Sequence, residues 1–262
     1  MTKFYYFVGT AGSGKSFLTA AFMQWLEVNS TENTNIITVN FDPGVLNLSY
    51  SPDVDCRDYI DIYDIMEKYE LGPNGGLIAS IDLLISSKLN TIKDEIEEYG
   101  PDIVLIDTPG QLELFAFRSA SNIIIDSLDN ERKNSILLFL NDPSLVKTVG
   151  GFISSQLLAL NVYYRSLIPI INVLSKSDLL SETEIEKITS WSDDEMYIEE
   201  CINIETIGSF REISLRLQQS INEMGVLPSI IPISALNDVG LHQLYAEISR
   251  ILTGGEDFSE SY

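Results

Sequence analysis

The segment that decides the fold lies between residues 4 and 26, where an apolar run, a glycine-rich loop and a helical pattern follow one another. Residues 4–8 have the aromatic and β-branched side chains that are typical of a buried strand. The loop that follows reads Gly9-Thr10-Ala11-Gly12-Ser13-Gly14-Lys15-Ser16. Apolar side chains then recur at helical spacing, at Phe17, Leu18, Ala21, Phe22, Trp25 and Leu26. This order predicts a strand, a sharply bent loop and a helix.

The residue types of this loop suit a phosphate ligand. They fit the P-loop pattern of Gly, four residues, Gly, Lys and Ser or Thr. Glycines allow successive backbone N–H groups to point at phosphate oxygens, and the following helix adds its positive N-terminal end. We predict that Lys15 bridges the β- and γ-phosphates, that Ser16 ligates magnesium and that Phe17 completes the binding stretch. A glycine turn without a ligand is the alternative, and the flanking strand and helix count against it.

Five more apolar runs read as buried strands, at residues 36–39, 103–106, 136–140, 168–174 and 230–233. The gaps between successive runs are all longer than 20 residues. Such gaps suit crossover helices and are too long for hairpins. We therefore predict an α/β chain with the three-layer α/β/α P-loop NTPase fold and a mainly parallel six-stranded sheet.

The remaining patterns organise the chain into one domain. We predict a single domain over residues 1–253, followed by an acidic tail at 254–262 that we expect to be flexible. Residues 180–228 contain many charged residues and are helical in pattern, so we interpret them as a helical insertion. Another helical pattern predicts one long helix opened by Gly75-Gly76, with apolar residues at Leu77, Ile78, Ile81, Leu84, Ile85, Leu89, Ile92 and Ile96.

Composition limits the classes of partner. The chain has 39 Asp and Glu residues against 16 Lys and Arg, a formal net charge of −23. This charge repels nucleic acid and anionic lipid, although an acidic docking face for a basic protein stays open beside a merely solvated surface. No apolar stretch approaches the roughly 18 to 20 residues that span a bilayer, and no leader pattern opens the chain. We expect no nucleic acid, no membrane and a cytoplasmic location.

The third apolar run delivers an aspartate at its carboxyl end, in the order Asp107-Thr108-Pro109-Gly110-Gln111. Ligands collect at this end of the strands in open α/β sheets. We predict that Asp107 holds magnesium through water, that the Gly110 N–H contacts the γ-phosphate and that Gln111 orients a hydrolytic water. Taken alone, this sequence is also a good turn. Its position downstream of a P-loop favours the functional interpretation.

A second polar segment, Ser175-Lys176-Ser177-Asp178, follows the run at 168–174 and resembles the guanine-reading motif of GTPases, usually Asn-Lys-x-Asp. The Asp178 carboxylate would accept hydrogen bonds from the N1–H and the exocyclic amine of guanine, and the Lys176 stem would lie along the base. Ser175 replaces the usual Asn, and its hydroxyl could still bond across to the P-loop. Ser234-Ala235 resembles the loop whose backbone contacts guanine.

Several further segments resemble the GPN-loop GTPases, in the order that this family has them. They are Asn40-Phe41-Asp42-Pro43-Gly44, Leu48-Ser49-Tyr50, Gly72-Pro73-Asn74 and the extension of Asp107–Gln111 by Leu112-Glu113. A Gly-Pro turn before a helix is common on its own. Together with the P-loop, these segments span almost the whole chain, so the sequence is identified as an archaeal-type homodimeric member of the family.

The resemblance implies a homodimer in which the Gly72-Pro73-Asn74 loop of each subunit enters the site of its partner. Asn74 would contact the γ-phosphate and the attacking water, since an amide can donate to one and accept from the other. Asp42 and Glu113 are candidate carboxylates around the water or the magnesium, with a turn or helix-start role as the alternative. The predicted catalytic set is Lys15, Asp42, Asn74, Gln111 and Glu113.

The resulting prediction is a magnesium-dependent GTPase that hydrolyses GTP to GDP and phosphate and serves as a molecular switch. One alternative is a GTP-gated assembly factor or chaperone for a protein complex such as RNA polymerase, as eukaryotic relatives are thought to be. A P-loop kinase is a third possibility, but the arginines that such enzymes commonly use are few and scattered here. Leu112, Leu114, Phe115 and Phe117 are either core residues or part of a nucleotide-dependent apolar interface.

Overall fold

The structure is a computed structural model, and it describes residues 1–31, 33–112 and 120–253 of the chain. Glu113, Leu114, Phe115, Phe117 and the tail at 254–262 therefore lie outside the described residues. The chain divides into two compact units. The first unit comprises Met1–Ala11 and Lys15–Ile136, and the second comprises Gly12–Gly14 and Leu137–Tyr262.

The first unit contains four parallel strands in the order β3-β2-β4-β1. Their bounds are β1 Lys3–Gly9, β2 Ile36–Asn40, β3 Val54–Asp55 and β4 Ile103–Asp107. Asp107 lies beside Phe7 of β1 and beside Asn40 of β2 in the strand register. The carboxyl ends of these three strands thus meet at one edge, which is where the loops with the predicted phosphate and magnesium residues begin.

The helices of the first unit are α1 Lys15–Asn29, α2 Ile62–Lys68, α3 Pro73–Ser87, α4 Leu89–Glu98 and α5 Ala120–Leu128. The prediction of one long helix from Gly75-Gly76 onward is wrong, because the chain forms two helices that meet at Lys88. The hydroxyls of Ser86 and Ser87 both donate to the Leu83 carbonyl, and such bonds compete with the backbone ladder. The first of the two helices also begins earlier than predicted, at Pro73, whose fixed φ suits a first helical position.

The second unit contains β6, β7 and β5 from Leu137 onward, three parallel strands in the order β5-β6-β7. Their bounds are β5 Ser135–Asn141, β6 Ile170–Leu174 and β7 Ile231–Pro232. Its helices are α6 Pro143–Val146, α7 Val149–Ser166, α8 Glu182–Asp193, α9 Glu195–Glu205, α10 Gly208–Met224 and α11 Leu241–Leu252. The segment predicted as a helical insertion, residues 180–228, contains α8, α9 and α10. Its Trp191 lies in an apolar core that the segment shares with α7, and the ring centroids of Trp191 and Phe152 are 5.6 Å apart.

The predicted three-layer α/β/α class with a mainly parallel sheet is confirmed, but the number of strands is not. The described residues form seven strands rather than six. The additional strand, β3, is only two residues long, and a pairing this short leaves no apolar run that sequence patterning could detect. Among the described residues, every helix is too short or too polar to cross a membrane.

Candidate functional site

The glycine loop turns sharply between β1 and α1, as the sequence predicted. Gly12 and Gly14 have φ angles of +77° and +93°, a region that side chains with a Cβ rarely adopt. Lys15 is buried, and its ammonium donates to the carbonyl oxygens of Gly9 and Thr10, both at 3.0 Å. The cation therefore lies over the loop, where it can exchange these two carbonyls for phosphate oxygens.

Asp107 lies at the end of β4 and is buried, with 1% of its surface exposed. Its Oδ2 accepts a 3.4 Å hydrogen bond from the Tyr50 hydroxyl, whereas its Oδ1 has no hydrogen-bond partner among the described residues. Burial raises the pKa of Asp107 to about 6, although the Ser16 hydroxyl and the Lys15 charge act in the opposite direction. A buried carboxylate is costly unless a cation or donor compensates it.

These residues fit a magnesium ion. Carboxylate and hydroxyl oxygens are hard ligands, and Mg²⁺ in phosphate sites is commonly held by one or two protein groups together with water and substrate phosphate. The unpartnered Asp107 Oδ1 and the nearby Ser16 hydroxyl supply such groups. Within residues 1–31, 33–112 and 120–253, no set of three or more His, Cys, Asp or Glu residues could hold a metal ion.

Asp42 makes hydrogen bonds that tie two site loops together. Its Oδ1 accepts from the Gly44 N–H and its Oδ2 from the Gly110 N–H, both at 2.9 Å. Asn40 Oδ1 in turn accepts from the Asp42 N–H at 2.9 Å. The Gly110 N–H was predicted to contact the γ-phosphate. In this structure it donates to the Asp42 carboxylate, which lies where an anionic phosphate oxygen was expected.

Arg57 supports this loop. Its guanidinium binds Asp55, at 2.6 Å from Nη2 to Oδ2, and donates to the Val45 carbonyl at 3.0 Å. Asp55 Oδ1 also accepts from Asn40 Nδ2 at 2.9 Å. Burial opposes ionisation of Asp55, but the bonds from Arg57 and Asn40 outweigh it and hold the pKa of Asp55 below its usual value. Arg57 is therefore a positioning residue for the segment around Asp42.

Asn74 and Gln111 contact each other within one chain. Gln111 Nε2 donates to Asn74 Oδ1 at 3.1 Å, across 37 residues of sequence. Asn74 lies in the first turn of α3, after Gly72 at the N-cap and Pro73 at the first helical position, and it is exposed. The two amides predicted to position the water are therefore close together in a single subunit.

The candidate guanine-reading loop belongs to the second unit. Asp178 is exposed, and its Oδ1 accepts from the Ser234 hydroxyl at 2.7 Å. Ser234 also pairs with Val239 through an isolated antiparallel bridge, which closes the loop that carries Ala235. The two segments predicted to recognise guanine, although 56 residues apart, thus lie in direct contact.

Lys176, rather than Ser175, bonds to the P-loop. The Ser175 hydroxyl donates to the Asn141 carbonyl at 3.1 Å, at the end of the neighbouring strand. Lys176 Nζ donates to the Gly12 carbonyl and also pairs with Asp142 Oδ2 at 2.8 Å. A Cβ atom at Gly14 would lie 3.4 Å from Lys176 Cε, so the lysine stem lies against the glycine loop.

Asp142 was not among the residues predicted for the site. Burial opposes ionisation of this carboxyl, but Lys176 and the Ser144 N–H and hydroxyl lower its pKa. Its signal in the sequence is its place directly after the buried strand β5 and before Pro143, the first residue of α6. That position marks both a helix cap and the ligand-facing end of a strand.

The comparisons with known proteins agree with these motifs. A family model described as "Conserved hypothetical ATP binding protein" matches residues 7–254. GPN-loop GTPase 1 of Schizosaccharomyces pombe is 36% identical over 66% of this chain, but the match spans about half of that relative, 46% of its length. The GPN-loop GTPase PAB0955 of Pyrococcus abyssi is 36% identical over 73% of this chain and 74% of its own length.

Longer matches extend the similarity. GPN-loop GTPase 3 of Dictyostelium discoideum is 28% identical over 95% of this chain and 87% of its own. The apo crystal structure of the P. abyssi GTPase superposes with a TM-score of 0.83 at 30% identity, covering 95% of this chain and 97% of that one. The glycine loop, the Gly72-Pro73-Asn74 turn and these similarities lead to one conclusion: the chain belongs to the GPN-loop GTPase family.

Proposed function

We propose that the protein is a magnesium-dependent GTPase that hydrolyses GTP to GDP and phosphate and acts as a nucleotide-dependent switch. The observation that carries this proposal is the buried Asp107 carboxylate, with one oxygen unpartnered among the described residues, near the Ser16 hydroxyl and the Lys15 ammonium. This arrangement supplies a hydroxyl ligand for magnesium, a carboxylate that holds the ion through water and one phosphate-binding cation. If the glycine loop were only a turn, burying these polar and charged groups together would cost free energy that no ligand offsets.

Ser16 and Asp107 would hold the magnesium ion, which when bound neutralises charge on the phosphates. The N–H groups of the glycine loop bind phosphate oxygens. The Lys15 ammonium also binds phosphate oxygens, and it gives up its hydrogen bonds to the Gly9 and Thr10 carbonyls to do so. Catalysis in such sites rests on positioning and on electrostatic stabilisation, without a covalent intermediate. Gln111 and Asn74 are neutral, so they orient a water through their amides and do not act as strong bases.

The bond between Asp42 and Gly110 supports the proposed switch. A γ-phosphate oxygen and the Asp42 carboxylate compete for the same N–H donor, because one N–H forms one good hydrogen bond. Arrival of GTP would release Asp42 and thereby free the loop that begins at Gly44. Loss of phosphate would restore the bond. Two states of this loop, selected by the γ-phosphate, are what a nucleotide switch requires.

Guanine selection rests on Asp178, and we predict that Asp178→Asn lowers GDP affinity by about a hundredfold. The carboxylate accepts two hydrogen bonds from guanine, and bonds to charged groups are worth about 1.5–3 kcal/mol each. The measurement is competition of unlabelled GDP, ADP and xanthosine diphosphate against a fluorescent GDP. The variant should gain affinity for the xanthine nucleotide, whose second carbonyl suits an amide donor. The exposed Asp94→Asn serves as the control, and unchanged GDP affinity in Asp178→Asn would refute this role.

We further propose that the protein is a homodimer in which Asn74 serves the site of the partner subunit. Asn74→Ala should leave GTP affinity nearly intact while lowering turnover by about 10- to 100-fold, because its amide acts on the transferring phosphate. Steady-state phosphate release and nucleotide titration measure the two quantities. Asn90→Ala, an exposed change on α4, is the matched control. Unchanged turnover in Asn74→Ala would contradict a catalytic role.

A mixture of variants tests whether Asn74 acts in its own subunit or across the dimer. Asn74→Ala subunits keep Lys15, whereas Lys15→Ala subunits keep Asn74. In a mixed dimer, the nucleotide-competent site receives an intact Asn74 only if the residue comes from the partner. Recovery of turnover over Asn74→Ala alone is therefore expected. Failure to recover would assign Asn74 to the site of its own chain, where it already contacts Gln111.

A second candidate function is that of a GTP-gated assembly factor for a protein complex. The observation that favours it is a series of exposed apolar side chains on and between α9 and α10, including Ile204, Ile207, Phe210 and Ile213, each more than half exposed. Clustered apolar exposure marks interaction surfaces. Binding of an apolar dye to the GTP-analogue and GDP forms distinguishes the functions, since a gated surface changes its dye binding between the two. We propose a cytoplasmic location for either function.

A further inference from the structure

Asp107, the carboxylate proposed to hold magnesium through water, has a hydrogen-bond donor that the proposed mechanism does not use. The Tyr50 hydroxyl donates to Asp107 Oδ2 at 3.4 Å. A phenol is protonated at neutral pH, so Tyr50 is the donor and the carboxylate is the acceptor. Asp107 has only 1% of its surface exposed, so bulk water does not replace a donor that is lost here.

The chain segments that carry Tyr50 and Ser16 lie on different sides of the strand that ends at Asp107. This strand, β4, lies between β2 and β1 in the sheet. Tyr50 belongs to the connection from β2 to the edge strand β3, whereas Ser16 follows the glycine loop after β1. A carboxylate also accepts several hydrogen bonds at once. Asp107 can therefore keep the bond from Tyr50 while it binds a water of the magnesium ion.

The backbone on both sides of Tyr50 is tied down by other hydrogen bonds. Five residues before it, the Val45 carbonyl accepts from Arg57 Nη1 at 3.0 Å. Three residues after it, Asp53 Oδ2 accepts from the Thr38 N–H at 2.7 Å and from the Thr38 hydroxyl at 3.0 Å. The Asp53 N–H donates back to the Thr38 carbonyl at 3.0 Å. Because Thr38 lies within β2, the segment that carries Tyr50 is fixed to the strand next to β4.

A carboxylate that serves a metal ion is itself usually held by hydrogen bonds. These bonds fix the plane of the carboxylate, and loss of one such partner lowers metal affinity by about 10- to 100-fold. Without its donor, the Asp107 side chain can rotate about its last bond, and the ion then has to orient it. The Tyr50 bond is long at 3.4 Å, so we expect an effect near the lower end of that range.

We propose that Tyr50 is a positioning residue for the magnesium ion and acts through its hydrogen bond to the Asp107 carboxylate. This inference rests on the proposed function, because it requires Asp107 to hold the ion. Tyr50 touches neither the ion nor the nucleotide in this role. It holds one oxygen of the carboxylate, so that the water of the ion meets an acceptor that is already oriented.

The test is the binding of Mn²⁺, a magnesium substitute that electron paramagnetic resonance detects, to the chain saturated with GDP. Tyr50→Phe keeps the ring and removes the hydroxyl, and we expect it to weaken Mn²⁺ binding by about tenfold. Tyr164→Phe changes an exposed tyrosine of α7 and should bind Mn²⁺ like the unaltered chain. Thermal melting checks that both variants fold. Unchanged Mn²⁺ affinity in a folded Tyr50→Phe would overturn the inference.

Two further measurements separate positioning from a merely structural role. GDP affinity in the presence of a chelator involves no metal, and it should be the same in Tyr50→Phe as in the unaltered chain. In the Asp107→Asn background, Tyr50→Phe should weaken Mn²⁺ binding no further, because both residues act on one interaction. Lower GDP affinity in the chelator, or additive effects of the two changes, would refute the positioning role.

The single variant Asp107→Asn distinguishes a failure of this inference from a failure of the proposed function. If Asp107→Asn weakens Mn²⁺ binding and Tyr50→Phe does not, Asp107 stays in the metal site and only the role of Tyr50 is refuted. If neither change weakens Mn²⁺ binding, Asp107 does not serve the metal and both proposals fail.

Discussion

Replacing Lys15 with alanine is expected to lower GTP turnover by about a hundred- to ten-thousandfold, the largest loss of any single change in the site. Lys15 is the cation predicted to bridge two phosphates, and it loses two carbonyl contacts at 3.0 Å in order to do so. Two hydrogen bonds to charged groups are worth about 3–6 kcal/mol together, which corresponds to that range. Single-turnover phosphate release at saturating GTP measures the effect on chemistry.

The Lys15 prediction needs a control for charge and for folding. Lys93→Ala removes a lysine from α4, where it pairs with Glu97 at 3.7 Å, and should leave turnover unchanged. Lys15→Ala should also keep a cooperative thermal transition, since the two carbonyls that it leaves can bind water. If a folded Lys15→Ala protein turns over GTP within about threefold of the unaltered chain, the glycine loop is not the catalytic phosphate site.

Asp107→Asn is expected to lower magnesium-dependent GTP turnover by at least about a hundredfold. An amide is neutral and is a poorer magnesium ligand than a carboxylate, so the nucleotide would bind without a correctly held ion. Turnover measured over a series of magnesium concentrations should need far more magnesium for half of the maximal rate. Asp94→Asn, on the exposed face of α4, is the control. Unaltered magnesium dependence in Asp107→Asn would remove Asp107 from the metal site.

The same change is expected to stabilise the protein without nucleotide at neutral pH. Burial raises the pKa of Asp107 from 3.8 to about 6. The folded state therefore holds the proton more tightly than the unfolded state, and stability falls as the pH rises from about 4 to about 6. Above pH 6, the ionised group costs roughly 3 kcal/mol at most, since about two pKa units correspond to that free energy. Asn at this position carries no such cost.

Thermal melting in the presence of a chelator tests this consequence. At pH 7.5, Asp107→Asn should melt several degrees higher than the unaltered protein. At pH 4, the difference should largely vanish, because Asp107 is then protonated in the folded state. Magnesium binding should weaken as the pH falls through 6, since the proton competes for the same oxygen. A variant that melts lower at both pH values would contradict the cost assigned to the buried charge.

Whether a feature could be predicted from the sequence depended on how far apart along the chain its residues lie. The glycine loop and Asp107 were predictable because their chemistry and their place at strand ends lie within a few consecutive residues. The contact between Asp178 and Ser234 was predictable only through the resemblance to GTPases. The short strand β3 was not predictable, because two residues carry no period.

Other features of the site depend on which of several possible hydrogen-bond partners a side chain contacts in the folded protein. Sequence patterns do not predict that choice. The Ser175 hydroxyl was predicted to bond across to the P-loop, but it donates to the Asn141 carbonyl instead. The pairing of Asn141 with Leu174 in the strand register places the Asn141 carbonyl next to it. Lys176 then makes the bond to the glycine loop. The bonds of Asp42 to Gly44 and Gly110 likewise arise from the meeting of two strand ends.

The fold class, the glycine loop, the buried carboxylate at the end of β4 and the family were predictable from the residues alone, because local periodicity and short motifs encode them. The folded chain was needed to find that Asp42 accepts a hydrogen bond from the Gly110 N–H and that Asn74 contacts Gln111 within one chain. It was also needed to find a cavity of the second unit beside Trp191. The physical reason is that these contacts join residues 37 or more positions apart, or several packed helices. Which polar group satisfies which partner there depends on packing and register.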